Sequence, residues 1–213
     1  RLMSDEEETL QALGDKVDLD KDVKLVKQNF DVNGFLKREL DATSAMTYNE
    51  LAQILEAKNS KTGKQVQLSE LNVFKYNDLG TGMLQDGIFV RGDWIKDPKN
   101  QATAVKFLEA TFKGWIYCRD HYKACVNIVL ANGPALPRGH QTWQMNEVNA
   151  LIWPNKLGVG IMDPAQFKNT ANIALRFKVI KKKASTAAYR TDLAKKAVAA
   201  LKTPGRTASQ IAQ

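Results

Sequence analysis

The sequence predicts an α/β fold, and three observations carry that expectation. Short apolar runs of strand character alternate with short helical patterns over residues 21–91. Clusters of Asn, Asp, Gly and Ser separate those runs, as turns do. Beyond residue 92 the periodicity becomes helical, with Asp-Pro pairs that suit helix starts. Alternating strands and helices imply βαβ units and a mostly parallel sheet.

Taken in order, the acidic opening through "GDKVDLDKD" predicts a helix and a turn. "VKLVKQNF" predicts a strand, "VNGFLKREL" a short helix and "ATSAM" a small-residue strand. The helix "NELAQILEAKN" precedes a Lys/Gly/Ser-rich hairpin or loop at 59–66. "LNVFKY" and "MLQDGIFV" predict two more strands, divided by "NDLGTG". Asp97-Pro98 opens two helices' worth of pattern, which "GPALPRGH" breaks. "WQMNEVNALIWP" is helical, Asp163-Pro164 opens another helix, "TAAYRTDLAKKAVAAL" is the last, and "KTPGRTASQIAQ" is a loose tail.

Charge is unevenly placed. The net charge of +8 resides in the last 39 residues, where ten Lys/Arg face one acid. Lys181, Lys182, Lys183, Lys195 and Lys196 are expected to be solvent-exposed. No DNA-reading helix or Gly-aromatic motif accompanies them, so a solvated face is expected and a nucleic-acid partner is not. No apolar run approaches the ~20 residues needed to span a bilayer, and the opening "RLMSDEEETL" does not read as a secretion leader.

The stretch "YCRDHYKACVNIVL" reads as helix, which places Cys118, His121 and Cys125 on one face. At about 1.5 Å rise per residue that helix holds the cysteines too far apart for a disulfide. Core packing accounts for the spacing better than a metal site, and no metal or cofactor is expected. Gly80-x-Gly82 lacks a third glycine at position 85, so turn chemistry explains it better than a dinucleotide loop. With no G-x-S-x-G, HExxH or P-loop, and no evident partners around His121 and His140, no catalytic residue is assigned and no enzyme is expected.

The stretch "SAMTYNELAQIL" carries the candidate site. Thr47-x-x-Glu50 reads as a capping box, the Thr47 oxygen accepting from the Glu50 amide and the Glu50 side chain from the Thr47 amide. A helix start after a parallel strand opens into a ligand crevice. There Tyr48, Asn49 and Glu50 suit a flat, nitrogen-rich heterocycle, which stacks on the ring and bonds to the amide and carboxylate.

The "F…FL…ELDA…TYNE" run, the strand "DGIFVR", the helix "DPKNQATAVKFLEATFKGW" and the "MDP" turn together resemble a known superfamily. It comprises the solute-binding proteins of ABC importers for thiamine-pyrimidine precursors and riboflavin-type ligands. The fungal hydroxymethylpyrimidine phosphate synthases share their fold. The resemblance implies a two-lobed, periplasmic-binding-protein-like α/β fold with the N-terminal part of the first lobe missing. It implies a poorly matching segment at 1–20, the second lobe at 21–87, a hinge return and helix-rich part of the first lobe at 88–202, and a tail at 203–213. It makes the chain a monomeric periplasmic or cell-surface carrier that hands a small heterocycle to a membrane permease. Glu50 would accept from a ligand amine and Tyr48 would stack, with Thr47 and Asn49 beside them, while Asp78 and Thr81 are either further wall residues or turn formers. The alternatives are a synthase-like enzyme, or a fragment that serves as an interaction domain without binding ligand.

Overall fold

The computed structural model describes residues 21, 22, 24 and 26–201. The acidic opening and the tail after 201 lie outside the described residues. The helices are α1 (Asn33–Leu36), α2 (Glu50–Glu56), α3 (Pro98–Asp120), α4 (Tyr122–Asn132), α5 (Arg138–Ile152), α6 (Pro164–Arg176) and α7 (Asp192–Ala200). Single 3₁₀ turns occur at Leu68–Glu70, Trp94–Lys96 and Thr186–Ala188.

This architecture overturns the α/β expectation, and with it the two-lobed sheet fold. Among the described residues there is no strand, and the one β-bridge joins Lys58 to Gln65. The described residues of the runs expected as strands lie outside helices, and none of them is in a strand. Phe30 is 91%, Phe74 75% and Phe89 88% exposed, where a central strand would bury such side chains. Period-two patterning records a preference for extended backbone, whereas a strand exists only once a second segment completes its hydrogen-bond ladder.

The chain divides into two compact units. The first holds Tyr76–Asp120 and the described part of Ile152–Gln213. The second holds the described part of Leu13–Lys75 together with His121–Leu151.

In the first unit α3 packs along α7. Val105, Leu108, Phe112 and Ile116 recur at three- and four-residue steps on α3, which places them on one stripe. They meet Ala194, Ala197 and Val198, the corresponding stripe of α7, and Leu201 just beyond its end, with Trp153 and Val159 completing the core. The alanines let the two backbones approach closely. Gly160 is required here on two counts: its φ is +71°, and a Cβ would clash with the Cζ–Cε1 edge of the Phe112 ring. Both Asp-Pro starts behave as their sequence implies. Asp97 Oδ1 accepts from the Lys99 amide at 2.8 Å, and Asp163 Oδ1 from the Ala165 amide at 2.7 Å.

The "NDLGTG" segment is the turn its composition implies. Gly80 takes φ +73°, and the Thr81 amide and hydroxyl both donate to the Tyr76 carbonyl, at 2.9 and 3.2 Å. Alongside it, the Leu84 amide donates to Thr170 Oγ1 at 2.9 Å and Asn169 Nδ2 to the Gly82 carbonyl at 3.1 Å, fastening this segment to α6.

In the second unit Val32, Ile54 and Val66 form a small core with Phe35, Leu36 and Leu71. The 59–66 segment is a tight turn in which the Asn59 amide donates to the Lys64 carbonyl at 2.8 Å.

The one-helix reading of residues 117–130 fails at His121, whose φ of −133° and ψ of 47° separate α3 from α4. The rise per residue therefore does not set the cysteine separation. Cys118 and Cys125 are both disulfide-bonded, contrary to the sequence expectation.

Candidate functional site

The second unit contains a groove of about 490 Å³ lined by Asn49, Gln53, Glu56, Leu136, Pro137, His140, Gln141 and Gln144. One wall is α2 with its N-cap residue: Asn49, Gln53 and Glu56 recur at helical spacing and so share a face. The other wall is the first turns of α5 and the Leu136-Pro137 segment that leads into it.

A hydrogen-bond network ties the walls together through His140, whose side chain is only 11% exposed. Its Nδ1 lies 3.1 Å from Glu56 Oε2, and its Nε2 lies 3.1 Å from Asn49 Oδ1. The Asn49 amide is oriented by donating from Nδ2 to Glu50 Oε1 at 3.0 Å, while Gln53 Nε2 donates to Asn49 Oδ1 at 3.3 Å. Both ring nitrogens of His140 therefore face side-chain oxygens, one on each side of the ring. Trp143 adds a second tie one turn along α5, donating from Nε1 to the Thr47 carbonyl at 2.8 Å.

The quartet Thr47-Tyr48-Asn49-Glu50 does sit at a helix start, but the capping box is not formed. Asn49 is the N-cap residue, and no side chain caps the helix. Glu50 Oε2 accepts instead from the Met46 amide at 2.9 Å, one residue earlier than the pattern required. Thr47 contributes its carbonyl, to Trp143, rather than a capping hydroxyl. Of the quartet, Asn49 lines the groove, and all four residues are partly buried. Asp78 and Thr81 belong to the first unit: Asp78 is exposed, and Thr81 is buried with its hydroxyl on the Tyr76 carbonyl.

His140, Glu56, Gln53, Gln141 and Gln144 were not assigned to a site from the sequence. His140 and Glu56 are 84 residues apart, so no local pattern pairs them. Gln141 and Gln144 have no side-chain hydrogen bond among the described residues, which leaves two amides at the groove free to meet a ligand. The groove has no lysine or arginine in its lining. Its chemistry is that of amides and a carboxylate beside an apolar edge, which fits a small polar organic molecule with donors and acceptors of its own. Among the described residues no cluster of three or more His, Cys, Asp and Glu side chains suits a metal ion.

The family described as NMT1/THI5 like has a model that matches residues 3–124, more than half of the 213-residue chain. The chain belongs to the NMT1/THI5 like family. This is a family of ABC-type solute-binding proteins, and a solute-binding role in transport or in thiamine-precursor biosynthesis follows from membership. The matched span includes α1, α2 and α3, and so the Asn49-Gln53-Glu56 wall of the groove. The wall from α5 lies outside it. No curated protein and no solved structure matches the chain.

Proposed function

We propose that this NMT1/THI5 like protein is the solute-binding component of an ABC importer, and that it captures a small heterocycle in the groove between α2 and α5. The observation that carries the reading is the set of amides around the groove. Gln141 and Gln144 have spare donors and acceptors, beside an Asn49 side chain held in one orientation by His140, Glu50 and Gln53. A pyrimidine precursor of thiamine, or a riboflavin-like compound, offers the edge of ring nitrogens and exocyclic groups that such amides recognise. Leu136 and Pro137 supply apolar surface for its face. Tyr48, next to Asn49, is a further candidate for stacking.

On this reading the carrier works as a monomer outside the cytoplasm and delivers its ligand to a membrane permease without chemical change. The disulfide-bonded state of Cys118 and of Cys125 fits that location, because structural disulfides persist in oxidising compartments. The test is calorimetric titration of the chain with hydroxymethylpyrimidine and with riboflavin. Saturable one-to-one binding of either supports a carrier, and no heat with either contradicts it.

A second reading, a hydroxymethylpyrimidine phosphate synthase-like enzyme, is favoured by one observation. His140 and Glu56 form a histidine–carboxylate pair at the groove, the arrangement general acid–base chemistry uses. Recovery of the bound compound separates the two: a carrier returns its ligand unchanged, and an enzyme returns a product whose formation stops in His140→Ala.

A further inference from the structure

Residues 164–191 contain no aspartate or glutamate, yet carry Lys168, Arg176, Lys178, Lys181, Lys182, Lys183 and Arg190. Five of these seven cations fall within 176–183, from the last residue of α6 onward. Lys178, Lys181, Lys182 and Lys183 are all exposed, and among the described residues none of them has an ion-pair partner. Arg190 differs, because Asp192 neutralises it through two hydrogen bonds at 2.9 and 2.6 Å.

The backbone helps to gather these charges. α6 ends at Arg176, and Lys178 takes φ +60°, a left-handed conformation that turns the chain. The Val179 and Ile180 amides fold back onto the Ala174 carbonyl at 2.9 and 3.3 Å. Val179 is left 56% exposed amid the lysines.

We infer that this polybasic turn docks the protein on an anionic phospholipid surface. Lysines clustered within a Debye length of such a surface add their attractions, and an exposed aliphatic side chain among them gains from entering the headgroup boundary. A nucleic acid is the less favoured partner. The segment has no free aromatic platform for bases, since Phe177 is only partly exposed and lies 5.4 Å beneath the Arg176 guanidinium. The docking rests on charge in the first unit and stands or falls separately from ligand binding in the second.

The test is sedimentation of the full chain with vesicles of phosphatidylcholine alone or with about one third phosphatidylglycerol. Binding is expected only to the anionic vesicles and is expected to weaken steeply with added salt. At about fivefold in partitioning per lysine, K181Q/K182Q/K183Q is expected to lose roughly a hundredfold. K58Q/K61Q/K64Q removes the same charge from exposed positions of the other unit and is expected to bind nearly as the parent does. Unchanged melting temperatures establish that both variants are folded. Equal binding to both vesicle types, equal losses in the two triple variants, or tight binding to duplex DNA with none to anionic vesicles would each overturn the inference.

Discussion

His140 Nε2 lies 3.1 Å from Asn49 Oδ1, across 91 residues of sequence. That contact joins the start of α2 to the start of α5, and the opposite ring nitrogen reaches Glu56 at the same distance. His140→Ala removes both bonds and leaves Asn49 and Glu56 to rearrange. It is expected to lower stability by about 1–3 kcal/mol, since one of the bonds involves a charged group, and to weaken ligand binding at least tenfold. Thermal melts and calorimetry measure the two losses separately.

Thr47 and Trp143 give a second, opposite test. Because Thr47 serves through its carbonyl, Thr47→Ala is expected to change stability by less than about 0.5 kcal/mol, well below the loss of a true N-cap. Trp143→Phe keeps an aromatic ring but removes the Nε1–H donor to that carbonyl. It is expected to cost about 1 kcal/mol, as loss of one hydrogen bond does. A chemical denaturation midpoint that falls more for Thr47→Ala than for Trp143→Phe would restore the capping box.

What was legible in the sequence is what is encoded locally. Asp97-Pro98 and Asp163-Pro164 cap and open their helices within three residues, and "NDLGTG" closes its turn within six. The quartet at 47–50 marked a helix start for the same reason. Its capping detail was misplaced, because Glu50 had the Met46 amide within equal reach. Pairing between distant segments was not legible. "VKLVKQNF" and "MLQDGIFV" carry strand composition, but composition does not state whether a ladder partner exists. His140 finds Glu56 and Asn49 only once α5 is folded beside α2. The disulfide-bonded state of the cysteines was not legible, because the helical pattern through residues 117–130 does not show the break at His121.

Gly160→Ala tests the core of the first unit. The substitution strains a backbone at φ +71° and drives a methyl group into Phe112, so a loss of about 2–4 kcal/mol is expected. A melting temperature within a degree of the parent would show that the loop at 158–161 moves freely away from α3.

Arg190 and Asp192 make a modest pH-dependent contribution at the start of α7. The Arg190 hydrogen bond holds the Asp192 carboxyl below its ordinary range. A carboxylate with a lowered folded-state pKa stabilises above its unfolded value, and that stability disappears as pH falls through the folded value. The pair is solvent-exposed, so solvent screening keeps the gain small. Asp192→Asn is expected to lower stability slightly at neutral pH and to flatten the loss on acidification below the ordinary carboxylate range, measured by urea denaturation across an acidic pH series.

The central claim is that the α2–α5 groove binds a small heterocycle through amides the fold leaves unengaged. The most direct measurement is calorimetric titration of hydroxymethylpyrimidine and riboflavin into the parent and into Q141A/Q144A. Neither glutamine side chain bonds to the described protein, so the double variant is expected to melt as the parent does. Two lost hydrogen bonds are expected to weaken binding by roughly tenfold or more. Binding of equal strength in parent and double variant would place the ligand elsewhere and contradict the account.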